Sequence, residues 1–353
     1  MKLKSLKLEN FRNYGALNLD LSDGVTIFLG ENAQGKTNLL ESIAFLALGK
    51  SFRAGNFMEV LGWERPHGRI KGTLEQDGKE KSLEVFFERE PRRKKIKKQG
   101  KISEPKDFIG TFKVVLFTPD SLQMISGSPR LRRQYFDRLL IQLSREYFES
   151  YSVFHHVLKQ RNALLKRISM RLAKPDELDM WDEPYLKNSQ SIWKIRAEFI
   201  EFLKENLSEI YSSISGSQDE LKIESDVIAH SDLIFCRDRD IYSGSSSVGP
   251  HHDDFKLHLN GKQLSDFGSR GEQRTAVLAL KIAQIRYIEK HTGKKPILLL
   301  DDVFSELDAS RQTHLCQLVE SYQTIITSCS MENVKNLKNA VIYKISAGVL
   351  TEG

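Results

Sequence analysis

The stretch Gly30-Glu31-Asn32-Ala33-Gln34-Gly35-Lys36-Thr37 restricts what this chain can become more than any other. It fits G-x-x-x-x-G-K-[ST] and lies between an apolar run, Val25 to Leu29, and a helical pattern, Lys36 to Leu48. A buried strand is therefore expected to pass through a glycine loop into an amphipathic helix that buries Leu39, Leu40, Ile43 and Leu46 or Ala47. The two glycines let the backbone curl until successive amides face one point, and the helix adds the positive end of its dipole. Such a loop cradles phosphate. Lys36 is predicted to reach the β and γ phosphates of a nucleoside triphosphate, and Thr37 to offer its hydroxyl to magnesium, which takes oxygen ligands. An ordinary strand-to-helix turn with an exposed lysine is the plainer alternative, but it does not require this context.

Far downstream, Ile297 to Leu300 form a short apolar run that ends in two acids, Asp301 and Asp302. A parallel strand buried on both faces brings its carboxyl end beside the phosphates. Asp301 is then predicted to hold the magnesium shell, and Asp302 to orient or deprotonate the attacking water. Earlier in the chain, Ser269-Arg270-Gly271-Glu272-Gln273 precedes a helical pattern carrying Val277, Leu278, Leu280, Ala283 and Ile285. This is a second anion-seeking helix start. It resembles the signature motif of ABC-type ATPases, in which Ser and Gly of one subunit cap the γ phosphate held by another. Read alone, it is an N-cap with a capping-box glutamate. The order P-loop, signature, acid-ended strand favours the ATPase.

Residues 1–112 read as strand-rich around the P-loop helix, with hairpins turning at Asp77-Gly78 and Gln99-Gly100. From Arg130 to Ile214 the period becomes helical. Phe154, Leu158, Leu165, Ile168 and Leu172 share one face, and Ile192, Ile195, Phe199, Leu203, Leu207 and Ile214 another. Pro175 and Pro184 are expected to bracket the connection between these two long helices. The expected fold is α/β: an ABC-type P-loop ATPase head, a mixed sheet around the P-loop helix with an antiparallel β portion, plus a mainly α-helical second lobe. Residues 1–112 and 240–353 are assigned to the ATPase lobe and 113–239 to the helical lobe.

Three cysteines without a CxxC pair indicate neither a disulfide framework nor a zinc ribbon, which suits a reducing cytoplasm. No apolar run approaches the roughly 20 residues that span a bilayer. A net charge of +6 leans toward a polyanionic partner without requiring one.

Taken in order, these blocks resemble the RecF family of bacterial recombination and repair ATPases, relatives of the SMC-type chromosome ATPases. The likeness runs end to end: Leu8 to Tyr14, Gly30 to Asn38, Ser51-Phe52-Arg53, Pro119-Asp120, Gly127-Ser128-Pro129 with Arg132, Arg133 and Asp137, Gly249-Pro250-His251 with Asp253-Asp254, and Leu300 to Asp302 with Ser305 to Asp308. The resemblance implies a homodimer that sandwiches ATP between Lys36 of one copy and Ser269 and Gly271 of the other, with Asn38, Arg12 and Arg53 near the nucleotide. It also implies single-stranded or gapped DNA as ligand, partnership with RecO and RecR in loading RecA, support of DNA replication and SOS induction, and a weak DNA-stimulated ATPase. A transporter ATPase subunit and a non-hydrolysing ATP-gated DNA clamp are the alternatives.

The chain departs from the pattern in three places. His252 stands where the family often has arginine, Phe136 replaces an aliphatic residue, and the segment expected to carry the ABC switch histidine reads Ile326-Thr327-Ser328-Cys329. Other residues admit bland readings. His251-His252-Asp253-Asp254 makes a poor chelate and reads as polar loop, because adjacent strand residues point to opposite faces. The basic run Arg92 to Lys98 is either a DNA contact or a solvated face. Arg130, Arg132 and Arg133 are open to DNA, nucleotide or a carboxylate, and Phe154, Trp193 and Phe199 read as core.

Overall fold

The structure is a computed structural model and describes residues 1–226 and 236–352; residues 227–235, inside the expected helical lobe, lie outside the described residues. The chain forms two units, Met1–Ser121 with Gln284–Gly353, and Leu122–Ala283.

In the first unit, a six-stranded sheet runs in the order Val349–Glu352, Val341–Ser346, Val25–Leu29, Thr324–Ser328, Ile297–Asp301, Val114–Phe117. Its pairings are parallel except for the Val341–Ser346 and Val349–Glu352 hairpin. A second six-stranded sheet, antiparallel throughout, contains Lys2–Phe11, Tyr14–Asp20, His67–Gln76, Lys79–Glu88, Arg93–Lys98 and Lys101–Ile102. Both expected hairpin turns form: Asp77 and Gln99 each take φ 54 ahead of a glycine, the positive-φ geometry that matches strand twist. The core joins both sheets to the helix Lys36–Leu48, which packs on Leu3, Leu6, Leu74 and Val85 from one and on Phe28, Leu299 and Ile325 from the other.

That position corrects the expected amphipathic helix. Every residue from Leu39 to Leu48 is buried, because a helix covered on both sides has no solvent face. The boundary at residue 112 also moves. Val114–Phe117 pairs in parallel with Ile297–Asp301 and so belongs to the first unit through the sheet.

The second unit contains the helices Pro129–Leu143, Arg145–Ser169 and Asp179–Ser215, together with a three-stranded antiparallel sheet of Leu221–Asp226, Asp254–Leu259 and Lys262–Gln263. Residues 240–283, assigned from sequence to the ATPase lobe, fall here, because Asp254–Leu259 pairs with Leu221–Asp226. Pro184 does not mark the connection. It lies inside Asp179–Ser215, early enough that only the bond from its missing N–H is lost, while Ile192, Phe199, Leu203, Leu207 and Ile214 further along are buried as expected. Leu172 lies beyond the end of Arg145–Ser169 and is exposed, and Val157 and Leu164 take up the buried face instead. Phe154, Trp193 and Phe199 are core residues.

Two arginines, each buried to 3% side-chain exposure, organise this unit. Arg196 donates to Asp137 at 2.7 Å, to Asp253 at 2.6 Å, to the Pro250 carbonyl at 2.7 Å and to the Tyr147 hydroxyl at 3.0 Å. Arg161 joins three helices through Asp182 at 2.8 Å and Asp240 at 2.7 Å.

Candidate functional site

The parallel register fixes the site in the first unit. Leu29 pairs with Ser328, and Asp301 with Thr327, so the P-loop leaves its strand level with the carboxyl ends of its neighbours. Gly30 must be glycine, since a Cβ there collides with the Ile345 carbonyl. Gly35 takes φ 112 at the start of the helix, and a Cβ there would stand 2.5 Å from the Asn13 carboxamide. No side chain caps the helix and its first turn holds no acid, so its leading amides face the loop. Gln34 anchors the loop from outside. Its carbonyl accepts from Asn13 Nδ2 and Gly348 N–H, and its Oε1 accepts from Ala347 N–H at 2.6 Å. The buried Tyr14 hydroxyl donates to the Gly35 carbonyl at 3.0 Å.

Lys36 folds over the loop, its ammonium donating to the carbonyls of Gly30 at 2.5 Å and Glu31 at 2.7 Å. These acceptors are neutral, and among the described residues Lys36 forms no ion pair with a carboxylate. A largely buried cation held this way suits a polyphosphate ligand. One residue on, Thr37 Oγ1 donates to Asp301 Oδ1 at 2.9 Å. A hydroxyl beside a carboxylate is a hard oxygen donor set that fits magnesium. Burial pushes the Asp301 carboxyl above its usual range, opposed by hydrogen bonds from Thr327 and Thr37 and by Arg53. A dication here would favour the ionised form.

Asp302 follows with φ 50 and ψ 28, an uncommon left-handed conformation for a residue with a Cβ, and Cys329 N–H donates to its Oδ1 at 3.4 Å. Arg53 donates to Asn38 Oδ1 at 3.2 Å, and Asn38 in turn to Asn13. Arg12 is held differently. It makes a two-point ion pair with the fully buried Glu41 at 2.9 and 2.7 Å and a third bond to the Glu59 carbonyl. Glu31, Asn32 and Ala33 are exposed at the loop tip. Sequence reasoning gave no role to Asn13, Tyr14, Glu41 or Ala347. Only a buried glutamate inside an apolar helix could have drawn attention to Glu41.

In the second unit, Ser269 and Glu272 form the capping box that was the plainer reading: Ser269 N–H donates to Glu272 Oε2 at 2.7 Å and Glu272 N–H to Ser269 Oγ at 3.2 Å. Gly271 lies in the first turn of the helix Arg270–Thr292, its carbonyl accepting from Thr275. Arg132 takes Asp254 in a two-point pair at 2.7 and 2.8 Å, Arg133 donates to the Asp253 carbonyl at 2.7 Å, and Arg130 is exposed. His251 and His252 form a turn ahead of the strand Asp254–Leu259, and Asp253, which follows them, is fully buried on Arg196 and Trp193. Burial and the neighbouring His252 hold His251 down to about 3, so it is neutral. Among the described residues no cluster of three or more His, Cys, Asp or Glu could hold a metal. In the basic run, Arg93 pairs with Glu88, Lys97 with Glu84, and Lys94 and Lys98 bond to the carbonyls of Gly49 and Asp107.

The RecF/RecN/SMC N-terminal domain family model matches residues 2–350. The chain is 36% identical over 372 residues to the DNA replication and repair protein RecF of Listeria monocytogenes serotype 4b, covering 99% of both chains. To RecF of Lactococcus lactis subsp. lactis it is 37% identical over 360 residues, covering 100% of this chain and 99% of the relative. A solved structure of the recombination mediator protein RecF-ATPrS in the RecFOR pathway superposes with TM-score 0.90 at 31% identity, covering 99% and 98% of the two chains. An Smc head bound to the C-winged helix domain of ScpA, at 15% identity and TM-score 0.58, shares the head fold alone.

Proposed function

The chain belongs to the RecF/RecN/SMC family, and from that premise we propose that it is a cytoplasmic ATP-dependent recombination and repair mediator that dimerises on ATP. In this reading it binds single-stranded or gapped DNA and, with RecO and RecR, supports RecA loading, DNA replication and SOS induction. The observation that carries it is the junction of Lys36, Thr37 and Asp301 at one loop mouth in a chain that matches ATP-bound RecF relatives over its whole length.

Each residue has a chemical task. Lys36 and the uncapped helix amides bind the phosphates, and Thr37 and Asp301 hold magnesium, which offsets phosphate charge when bound. Asp302 orients the attacking water and accepts its proton. Ser269 and Gly271 of a second copy complete the site, so hydrolysis reopens the dimer. Asp302 is one methylene shorter than glutamate, which is consistent with a weak ATPase stimulated by DNA.

Two experiments test this. The first is a titration of gapped, single-stranded and duplex DNA with and without ATP, repeated with Ser269→Arg. ATP tightens binding in the wild type, and the variant loses that gain while still binding nucleotide; equal DNA affinity with and without ATP on every substrate rejects the ATP-gated clamp. The second is Asp302→Asn, which lowers turnover by about 100-fold or more while ATP-dependent dimerisation persists. A variant that hydrolyses at the wild-type rate places the base elsewhere and favours the non-hydrolysing clamp. The transporter alternative finds less support, because the relatives that the chain matches over its whole length are DNA replication and repair proteins.

A further inference from the structure

Thr327 sits at the end of the strand Thr324–Ser328, 1% exposed and paired in register with Asp301. Its hydroxyl donates to Asp301 Oδ1 at 2.8 Å and accepts from the Asp302 backbone N–H at 3.1 Å. A hydroxyl has one proton and two lone pairs, so the same oxygen can grip both acids at once. Thr37 donates to the same Oδ1 from the opposite element, and two donors converging on one oxygen fix the rotation of the Asp301 carboxylate. Asp302 needs a hold of its own. Its left-handed backbone is unfavourable for a residue with a Cβ, and it is over-determined here by Thr327 Oγ1, the Thr327 carbonyl at 3.1 Å and the Cys329 amide on its side chain.

We propose that Thr327 is a positioning residue that holds Asp301 and Asp302 in a fixed mutual arrangement, coupling the acid that binds magnesium to the acid that orients water. The segment Ile325-Ile326-Thr327-Ser328-Cys329-Ser330 contains no histidine, so this hydroxyl and the following amide supply the order at that strand end. The inference rests on the ATPase reading and assigns its geometry to a residue that acts through the two acids.

The test compares wild type with Thr327→Val, which keeps the β-branched shape and removes the hydroxyl, and with Thr327→Ser, which keeps the hydroxyl. Binding of a fluorescent ATP analogue is measured with magnesium and with EDTA, beside hydrolysis and thermal melting. The valine variant loses about tenfold or more of the affinity gained on adding magnesium, the size of a hydrogen bond to a charged group. Its affinity in EDTA stays at the wild-type value, its turnover falls, and serine restores both. A valine variant with the wild-type magnesium gain and turnover overturns the proposal. So does an equal loss with magnesium and with EDTA, which marks a general packing defect. If the valine variant melts too early to assay, Thr327→Ala provides the same comparison. A wild-type chain that binds the analogue in neither condition rejects the ATPase reading itself, and the Thr327 role with it.

Discussion

Lys36→Ala abolishes nucleotide binding, weakening it by about 100-fold or more, as expected when two or so charge-assisted hydrogen bonds to phosphate are lost together. The unliganded protein barely notices. The ammonium's partners are the carbonyls of Gly30 and Glu31, which water can satisfy at the loop mouth once the side chain is gone. Nucleotide affinity therefore collapses while the melting temperature without nucleotide stays near that of the wild type. Lys36→Arg does not rescue, because a planar fork cannot occupy the place of a compact point charge inside the curled loop. Calorimetric titration with ATP and magnesium checks this. An alanine variant that binds within a few-fold of wild type moves the phosphate site away from the P-loop.

Arg196→Ala has the largest expected effect on stability. It leaves Asp137 and Asp253 buried without their cation, and breaking a buried pair in this way costs about 3–5 kcal/mol. For a unit of this size the transition falls by roughly 6–20 °C. The loss comes from stranded charge and not from the worth of the pair. The triple variant Arg196→Met, Asp137→Asn, Asp253→Asn therefore recovers much of it, because the carboxamides still accept from the Tyr147 hydroxyl and the Trp193 indole. Scanning calorimetry distinguishes the cases. A single variant that melts with the wild type, or a triple variant that melts no higher than the single, contradicts this account of the second unit.

The P-loop was legible because its chemistry is local. Gly30, Gly35, Lys36 and Thr37 act through backbone curvature and a helix start that eight consecutive residues specify. The acid-ended strand was legible through burial: a strand buried on both faces between parallel neighbours has to be apolar along its length, and Asp301, still buried, marks its carboxyl end. Pro184 misled for a physical reason. Proline argues against a helix interior, yet near a helix start the missing bond is outweighed by the long buried face that follows. The boundary at residue 240 misled because the pairing of Asp254–Leu259 with Leu221–Asp226 links segments separated along the chain, and no local pattern announces which strand will be the partner.

The capping box at Ser269 is the clearest case of two readings held by the same atoms. Sequence offered either a polar cap or a signature motif. Within one chain the hydroxyl is a cap.

The sequence by itself determined the glycine loop between strand and helix, the strand that ends in two acids, the family and the head fold, because each rests on ordered short patterns of backbone freedom, charge and burial. Tertiary structure alone decided what holds those groups in place. Arg12 was drawn to Glu41, Gln34 to the Ala347 turn, and both acids to Thr327, since hydrogen-bond partners that lie outside any local repeat of the chain are chosen by how strands and helices pack and not by sequence spacing.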